Sequence, residues 1–224
     1  IPNMPCKENY TCFSIIIITK MNLMTKTAED ISGMQELNTN KLGIRSFDFV
    51  EFYVGSAKSV AYWYQRALGF KLLGYKGPET GYRESVSYYL EKNKIKIIVS
   101  SKFQLPKTKH TTEICDFVNV HGDGVKRFAY EVNDVKKAFD LAVERGAEIV
   151  RKPEKLEDKD GIVEEAAIRV YDDTEIVFVN YDDYKDIFKP GFKKPPQNYE
   201  INSEETGLSH IDHIVGNVKE NEMD

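Results

Sequence analysis

Cysteine is scarce in this chain. The 224 residues hold three, Cys6, Cys12 and Cys115. The number is odd and the spacing fits no metal site, so a disulfide framework and a zinc module are both excluded as organising devices. We read them as reduced cytoplasmic thiols. Long apolar runs are lacking too. Phe13-Ser14-Ile15-Ile16-Ile17-Ile18 falls far short of the roughly 20 residues that span a bilayer. As a signal peptide it has Glu8 upstream and no small-residue cleavage site downstream, so no membrane partner is expected. Positive charge is not in excess. The net charge is −5 and the pI about 5.5, which leaves no basic footprint for nucleic acid. Gly74, Gly77 and Gly81 follow a strand pattern, but no helix opens after them, so they do not form a phosphate loop.

Hydrophobic residues make up 41% of the sequence, enough for one sizeable core and part of a second. The chain begins at Ile1 and ends in the acidic run Lys219-Glu220-Asn221-Glu222-Met223-Asp224. Both ends read as cuts in a longer protein. Residues 1–41 show no regular pattern and are expected to be a disordered or upstream extension, with Met21, Met24 and Met34 as candidate starts.

From Ser46 the pattern sharpens. Phe47 to Val54 is β-branched and aromatic and predicts a strand. Ser56 is placed to cap a helix. Ala57, Val60, Ala61, Tyr64 and Leu68 recur on one helical stripe, and Gly69 ends it. Strands follow over 71–75, 85–91 and 95–100, with Asn93 in the last turn. Residues 102–122 read as a polar connection with some strand-like or helical patches, with His110 and His121 as surface residues. The order then repeats: a strand over 125–132, a cap at Asp134, a stripe of Val135, Ala138, Phe139, Ala142 and Val143, and strands over 147–151, 163–171 and 175–181. The caps Ser56 and Asp134 lie 78 positions apart. Two βαβββ units in tandem are therefore predicted, an α+β fold with helices outside curved sheets. Glu164-Glu165 and Asp172-Asp173 are expected in solvent, because neighbouring strand residues point apart. Tyr62 and Trp63 are positioned to cover a domain or subunit contact.

Residues 182–207 read as a linker. The segment Lys189-Pro190-Gly191-Phe192-Lys193-Lys194-Pro195-Pro196 predicts an extended, solvated spacer. A third unit then opens at Leu208. In Ile211-Asp212-His213-Ile214-Val215-Gly216-Asn217, strand alternation puts His213 on one face with Ile211 and Val215, and His210 on the other. Taken alone, an inward histidine is more often a core residue than a ligand. Aligning Val215-Gly216-Asn217 with Val54-Gly55-Ser56 sets His213 on Phe52, and the repeat sets Phe52 on Tyr130. The first two units thus offer aromatic rings where the third offers an imidazole. The segment 208–218 is expected to be an orphan strand with an unpaired edge, loosely held against the first domain.

The Asp-His-x-Val-Gly-Asn run resembles the start of the catalytic domain of the 4-hydroxyphenylpyruvate dioxygenase family. The stretches Phe47–Lys58 and Gly122–Val132 resemble the opening of the two halves of that family's first domain. Paired βαβββ units resemble the vicinal oxygen chelate, or glyoxalase-like, fold, in which two units close an incomplete barrel around a cavity. The resemblance implies a non-catalytic first domain over 42–181, a linker over 182–207, and the first strand of a truncated catalytic domain over 208–224. It implies that His213 is an iron ligand and that Val215 lines the substrate cavity. It implies an Fe(II) enzyme of tyrosine and phenylalanine catabolism that turns 4-hydroxyphenylpyruvate and O2 into homogentisate and CO2. The full-length enzyme is expected to be a cytoplasmic homo-oligomer, and this stretch alone to be inactive. Two alternatives remain open: hydroxymandelate synthase of the same family, and a free-standing small-molecule binding module with Phe52 and Tyr130 lining its pocket.

Overall fold

The computed structural model describes residues 13–19, 40–103, 109–196, 199, 201 and 205–216. Cys6, Cys12, the candidate starts Met21, Met24 and Met34, and Asn217 lie outside the described residues.

Both predicted units form. In the first, β2 (Ile44–Tyr53) leads into α1 (Ala57–Leu68), β3 (Lys71–Lys76), β4 (Ser85–Lys92) and β5 (Ile95–Lys102). In the second, β6 (Gly124–Val132) leads into α3 (Val135–Glu144), β7 (Ile149–Asp158), β8 (Gly161–Tyr171) and β9 (Thr174–Asn180). Local chemistry accounts for the boundaries. Gly69 closes α1 in the left-handed region at φ 73°, where a residue without Cβ is favoured. The Asp134 side chain accepts the Lys137 backbone N–H at the start of α3. Asn93 takes φ 54° in the β4–β5 turn.

The eight strands form one open sheet in the order β3-β4-β5-β2-β6-β9-β8-β7. Within each unit the first strand runs parallel to the last, β2 with β5 and β6 with β9. At the centre β2 and β6 run antiparallel and join the two units. The amphipathic helices cover one face. α1 packs Ala57 and Ala61 with Phe70, Tyr88, Leu90 and Ile97. α3 packs Val135, Ala138 and Phe139 with Val132, Ile168 and Phe178.

Three expectations fail. Residues 109–121, read as connection, form a helix, α2 (Lys109–His121), which lays Ile114 and Phe117 on Tyr53. His121 is accordingly only 14% exposed and reaches Asp173 at 3.0 Å. The linker is not a solvated spacer. Phe188 and Phe192 are buried in the core on the face opposite α1 and α3, and the Lys193 and Tyr75 backbones pair. Finally, Phe13–Thr19, read as part of an irregular extension, forms a strand, β1, antiparallel to β10 (Leu208–Gly216). The strand at 208–216 is therefore paired on one edge rather than orphaned.

Candidate functional site

β10 carries His213, and its register decides where the ring points. Ile16 of β1 lies opposite His213 and the adjacent Ile17 opposite Ile211, so Asp212 is an extra residue, a bulge. The bulge breaks the two-residue alternation on which the sequence reading relied. Leu208, Ile211 and Ile214 pack against the first domain, Ile211 and Ile214 beside Val50, Val125 and Phe128. His210, Asp212, His213 and Val215 are exposed. His213 thus shares a face with Val215 as expected, but not with Ile211.

The same bulge sets Asp212 beside the ring. The Asp212 carboxylate lies 2.7 Å from Nδ1 of His213. A carboxylate on Nδ1 favours the tautomer that carries its proton there, which leaves the Nε2 lone pair outward and free to ligate. The imidazole side chain is 48% exposed. Among the described residues no group of three or more His, Cys, Asp or Glu side chains gathers for a metal. The fit to iron is therefore that of one oriented donor, and the remaining ligands would have to come from outside these residues.

The first domain's interior differs from the sequence reading. Phe52 and Tyr130 lie on the helix side of the sheet, where both also pack with Val50, Val125 and Phe128 at the seam of the two units. Phe52 lies against Tyr64 of α1, and Tyr130 packs in the core of α3. The opposite face of β2 and β6 carries charge instead. Arg127 Nε lies 3.5 Å from both Glu51 and Glu175, and its Nη2 donates to Tyr53 Oη at 2.9 Å. Lys126 bridges Glu175 at 3.0 Å and Glu113 of α2 at 2.9 Å. Ser100 donates to Glu51 at 2.6 Å. Burial works against the Arg127 charge, but Tyr53 and the three carboxylates around it raise its affinity for the proton. Burial likewise opposes ionisation of Glu113, yet His110 and Lys126 hold its pKa at about 2. Every carboxylate of the group faces a cation, so it reads as a structural ion network.

The linker fills the rest of that face. Phe188 stacks on Tyr89 at 4.5 Å between ring centres and meets Phe49 edge-on at 5.4 Å. Lys189 donates to Glu165 at 2.6 Å, and Arg151 meets the other oxygen at 2.8 Å. Glu165, expected in solvent, is thus a buried carboxylate, and its partner is one of the lysines expected on a solvated face. Next to it the half-buried Tyr181 donates to Asp48 at 2.7 Å, and Asp48 pairs with Lys96.

A sequence signal for this interior existed. Glu175 is the single charge of the otherwise apolar strand β9, where a charge is expensive unless paired.

The family described as "Hydroxyphenylpyruvate dioxygenase, HPPD, N-terminal" matches residues 38–193. The chain belongs to the hydroxyphenylpyruvate dioxygenase family. It is 39% identical over 181 residues to a 4-hydroxyphenylpyruvate dioxygenase of Xenopus tropicalis, covering 80% of this chain and 45% of the relative. It is 35% identical over 180 residues to the enzyme of that name from Tetrahymena thermophila, covering 79% of this chain and 44% of the relative. The chain therefore spans about half the length of the curated relatives it matches. Among solved structures, a mutant 4-hydroxymandelate synthase from Streptomyces coelicolor superposes with a TM-score of 0.60 at 22% identity, over 75% of this chain and 45% of that one. That likeness establishes the fold, the paired βαβββ arrangement of the vicinal oxygen chelate proteins. No helix among the described residues is long and apolar enough to cross a membrane.

Proposed function

We propose that this chain is part of a non-haem Fe(II) enzyme that converts 4-hydroxyphenylpyruvate and O2 to homogentisate and CO2, in tyrosine and phenylalanine catabolism. The observation that carries the reading is the Asp212–His213 contact of 2.7 Å within the Asp-His-x-Val-Gly-Asn run. Asp212 holds the proton on Nδ1, so His213 offers Nε2 to the metal. Val215, exposed on the same stretch of strand, borders the substrate. When bound, Fe(II) supplies the Lewis acid, the template and the redox centre of the reaction. A two-histidine, one-carboxylate set suits Fe(II) and leaves positions for a 2-oxo acid and dioxygen.

In this reading the first domain is a scaffold. Phe188 and Phe192 occupy the face that a ligand would need, and Arg127 with its carboxylates occupies the adjoining part. That filling also speaks against a free-standing binding module. The same reading takes the full-length enzyme to be a cytoplasmic homo-oligomer, with the exposed Tyr62 and Trp63 as candidates for a covered contact.

The test is calorimetry of Fe(II) binding under argon with the full-length gene product, followed by product analysis. A 1:1 ratio that His213→Ala abolishes supports the reading, and unchanged binding in His213→Ala overturns it. Homogentisate in the product mixture supports the dioxygenase; hydroxymandelate in its place would assign the chain to the synthase.

A further inference from the structure

Among the described residues, the segment that delivers His213 is hydrogen-bonded to the first domain where the end of α1 meets the β4–β5 turn. Helix ends leave carbonyl oxygens without intrahelical partners, and here two of them are used. Thr206 donates its hydroxyl to Leu68 O at 2.6 Å. Lys92 donates to Gly69 O at 3.3 Å and to Glu205 at 2.8 Å. The turn itself continues the contact: the Lys94 backbone N–H donates to Ser209 O at 2.9 Å, and the Asn93 side chain donates to Leu208 O. Four residues of this stretch, Glu205, Thr206, Leu208 and Ser209, are thus tied down, and Leu208 also joins the α1 core.

Lys92 is the informative member. Its side chain is 4% exposed although it sits beside a turn, while Glu205 is 85% exposed. A lysine so buried requires partners for its charge, and the two it has are the carboxyl end of α1 and a residue 113 positions later. The charge also suits the negative end of the helix.

We propose that Lys92, with Thr206 and the β4–β5 turn, is a clamp that positions β10, and that Lys92 is a positioning residue for the His213 ligand. The inference rests on the iron-ligand reading of His213 for its consequence, but not for the clamp itself. The first domain then has a task in the enzyme: it sets where the first strand of the metal-bearing part starts. Ile211 and Ile214, packed on the first domain, carry that placement along the strand to the residues either side of His213.

The test uses full-length protein and two readouts: Co(II) affinity by calorimetry, and hydrogen exchange of the β10 amides. Lys92→Met is expected to speed β10 exchange and weaken Co(II) binding about tenfold, the low end of what supporting partners of metal ligands contribute. Lys92→Arg is expected to restore both. Val163→Ala, a buried change remote from the clamp, is expected to lower stability without weakening Co(II). Thr206→Val serves if Lys92→Met does not fold, with a smaller shift in the same direction. Wild-type exchange in β10 of the Lys92→Met or Thr206→Val protein would overturn the clamp. Co(II) binding that is absent in wild type, or unchanged in His213→Ala, would overturn the iron reading instead, and exchange alone would then decide the clamp.

Discussion

Glu51 and Arg127 stand directly opposite each other on β2 and β6, the two central strands of the sheet. Their charges meet at 3.5 Å, and Glu175 meets the same guanidinium nitrogen at the same distance. One cation, with 14% of its side chain exposed, thus joins the two βαβββ units across their seam. Removing it leaves carboxylates stranded away from water. Arg127→Met is expected to cost about 3–5 kcal/mol, read from urea unfolding. Replacing Glu51 and Glu175 by Gln in the same protein is expected to recover part of that loss. A cost under about 1 kcal/mol for Arg127→Met would show that the network is solvated.

Glu165 makes stability depend on pH. Burial opposes its ionisation, but Lys189 and Arg151 prevail and lower its pKa from 4.5 to about 2. A depressed carboxylate contributes stability above its unfolded pKa and loses it as pH falls through the folded one. The contribution is therefore complete at pH 7, declines below about pH 4.5, and is gone near pH 2. Glu165→Gln is expected to be less stable than wild type by about 3 kcal/mol at pH 7, with the gap closing between pH 4.5 and 2. Denaturant midpoints across that range check it.

Phe188 separates a packed linker from a free one. Its ring is 6% exposed and stacks on Tyr89. Phe188→Ala is expected to cost about 3–5 kcal/mol, as for other buried aromatic truncations. A solvated spacer would lose less than about 0.5 kcal/mol. Guanidinium unfolding distinguishes the two.

The two helix caps are unequal. Asp134 accepts a backbone N–H from Lys137 at 2.9 Å, whereas Ser56 makes no capping bond and turns to Ser59 instead. Asp134→Ala is expected to cost about 1 kcal/mol, a fall of about 3 °C in Tm for a domain of this size. Ser56→Ala is expected to fall by less than half of that in the same melt.

His213 is exposed in this chain, so His213→Ala is expected to change its stability by less than about 0.5 kcal/mol. On the proposed reading, its effect is expected in metal binding by the full-length protein. A large loss of stability in this chain would show that the ring is packed rather than offered.

Much of the fold is legible in the sequence. The caps Ser56 and Asp134, the glycine at 69, the turn at Asn93 and the two helix stripes are local signals, carried by neighbours a few residues apart. They located both βαβββ units and all eight of their strands. α2 is faint in the sequence because its stripe, Ile114 with Phe117, is short and set among polar residues. The packing of the linker is not legible there, because lysine and proline report composition, while the placement of Phe188 and Lys189 depends on Phe49, Tyr89 and Glu165, which lie far away in the chain.

The sequence by itself determined the tandem units, the family and the motif that contains His213, since these rest on residue types and short spacings. Only the tertiary structure decided which faces those residues occupy. Alternation along a strand holds until an extra residue enters the ladder, and Asp212 is such a residue. The partner strand sets the register, and the register turns His213 outward and brings Asp212 to its Nδ1. In the same way Phe52 and Tyr130 were correctly placed on their strands. Packing of α1 and α3 then decided that those rings face the helices, and that Glu51 and Arg127 face each other.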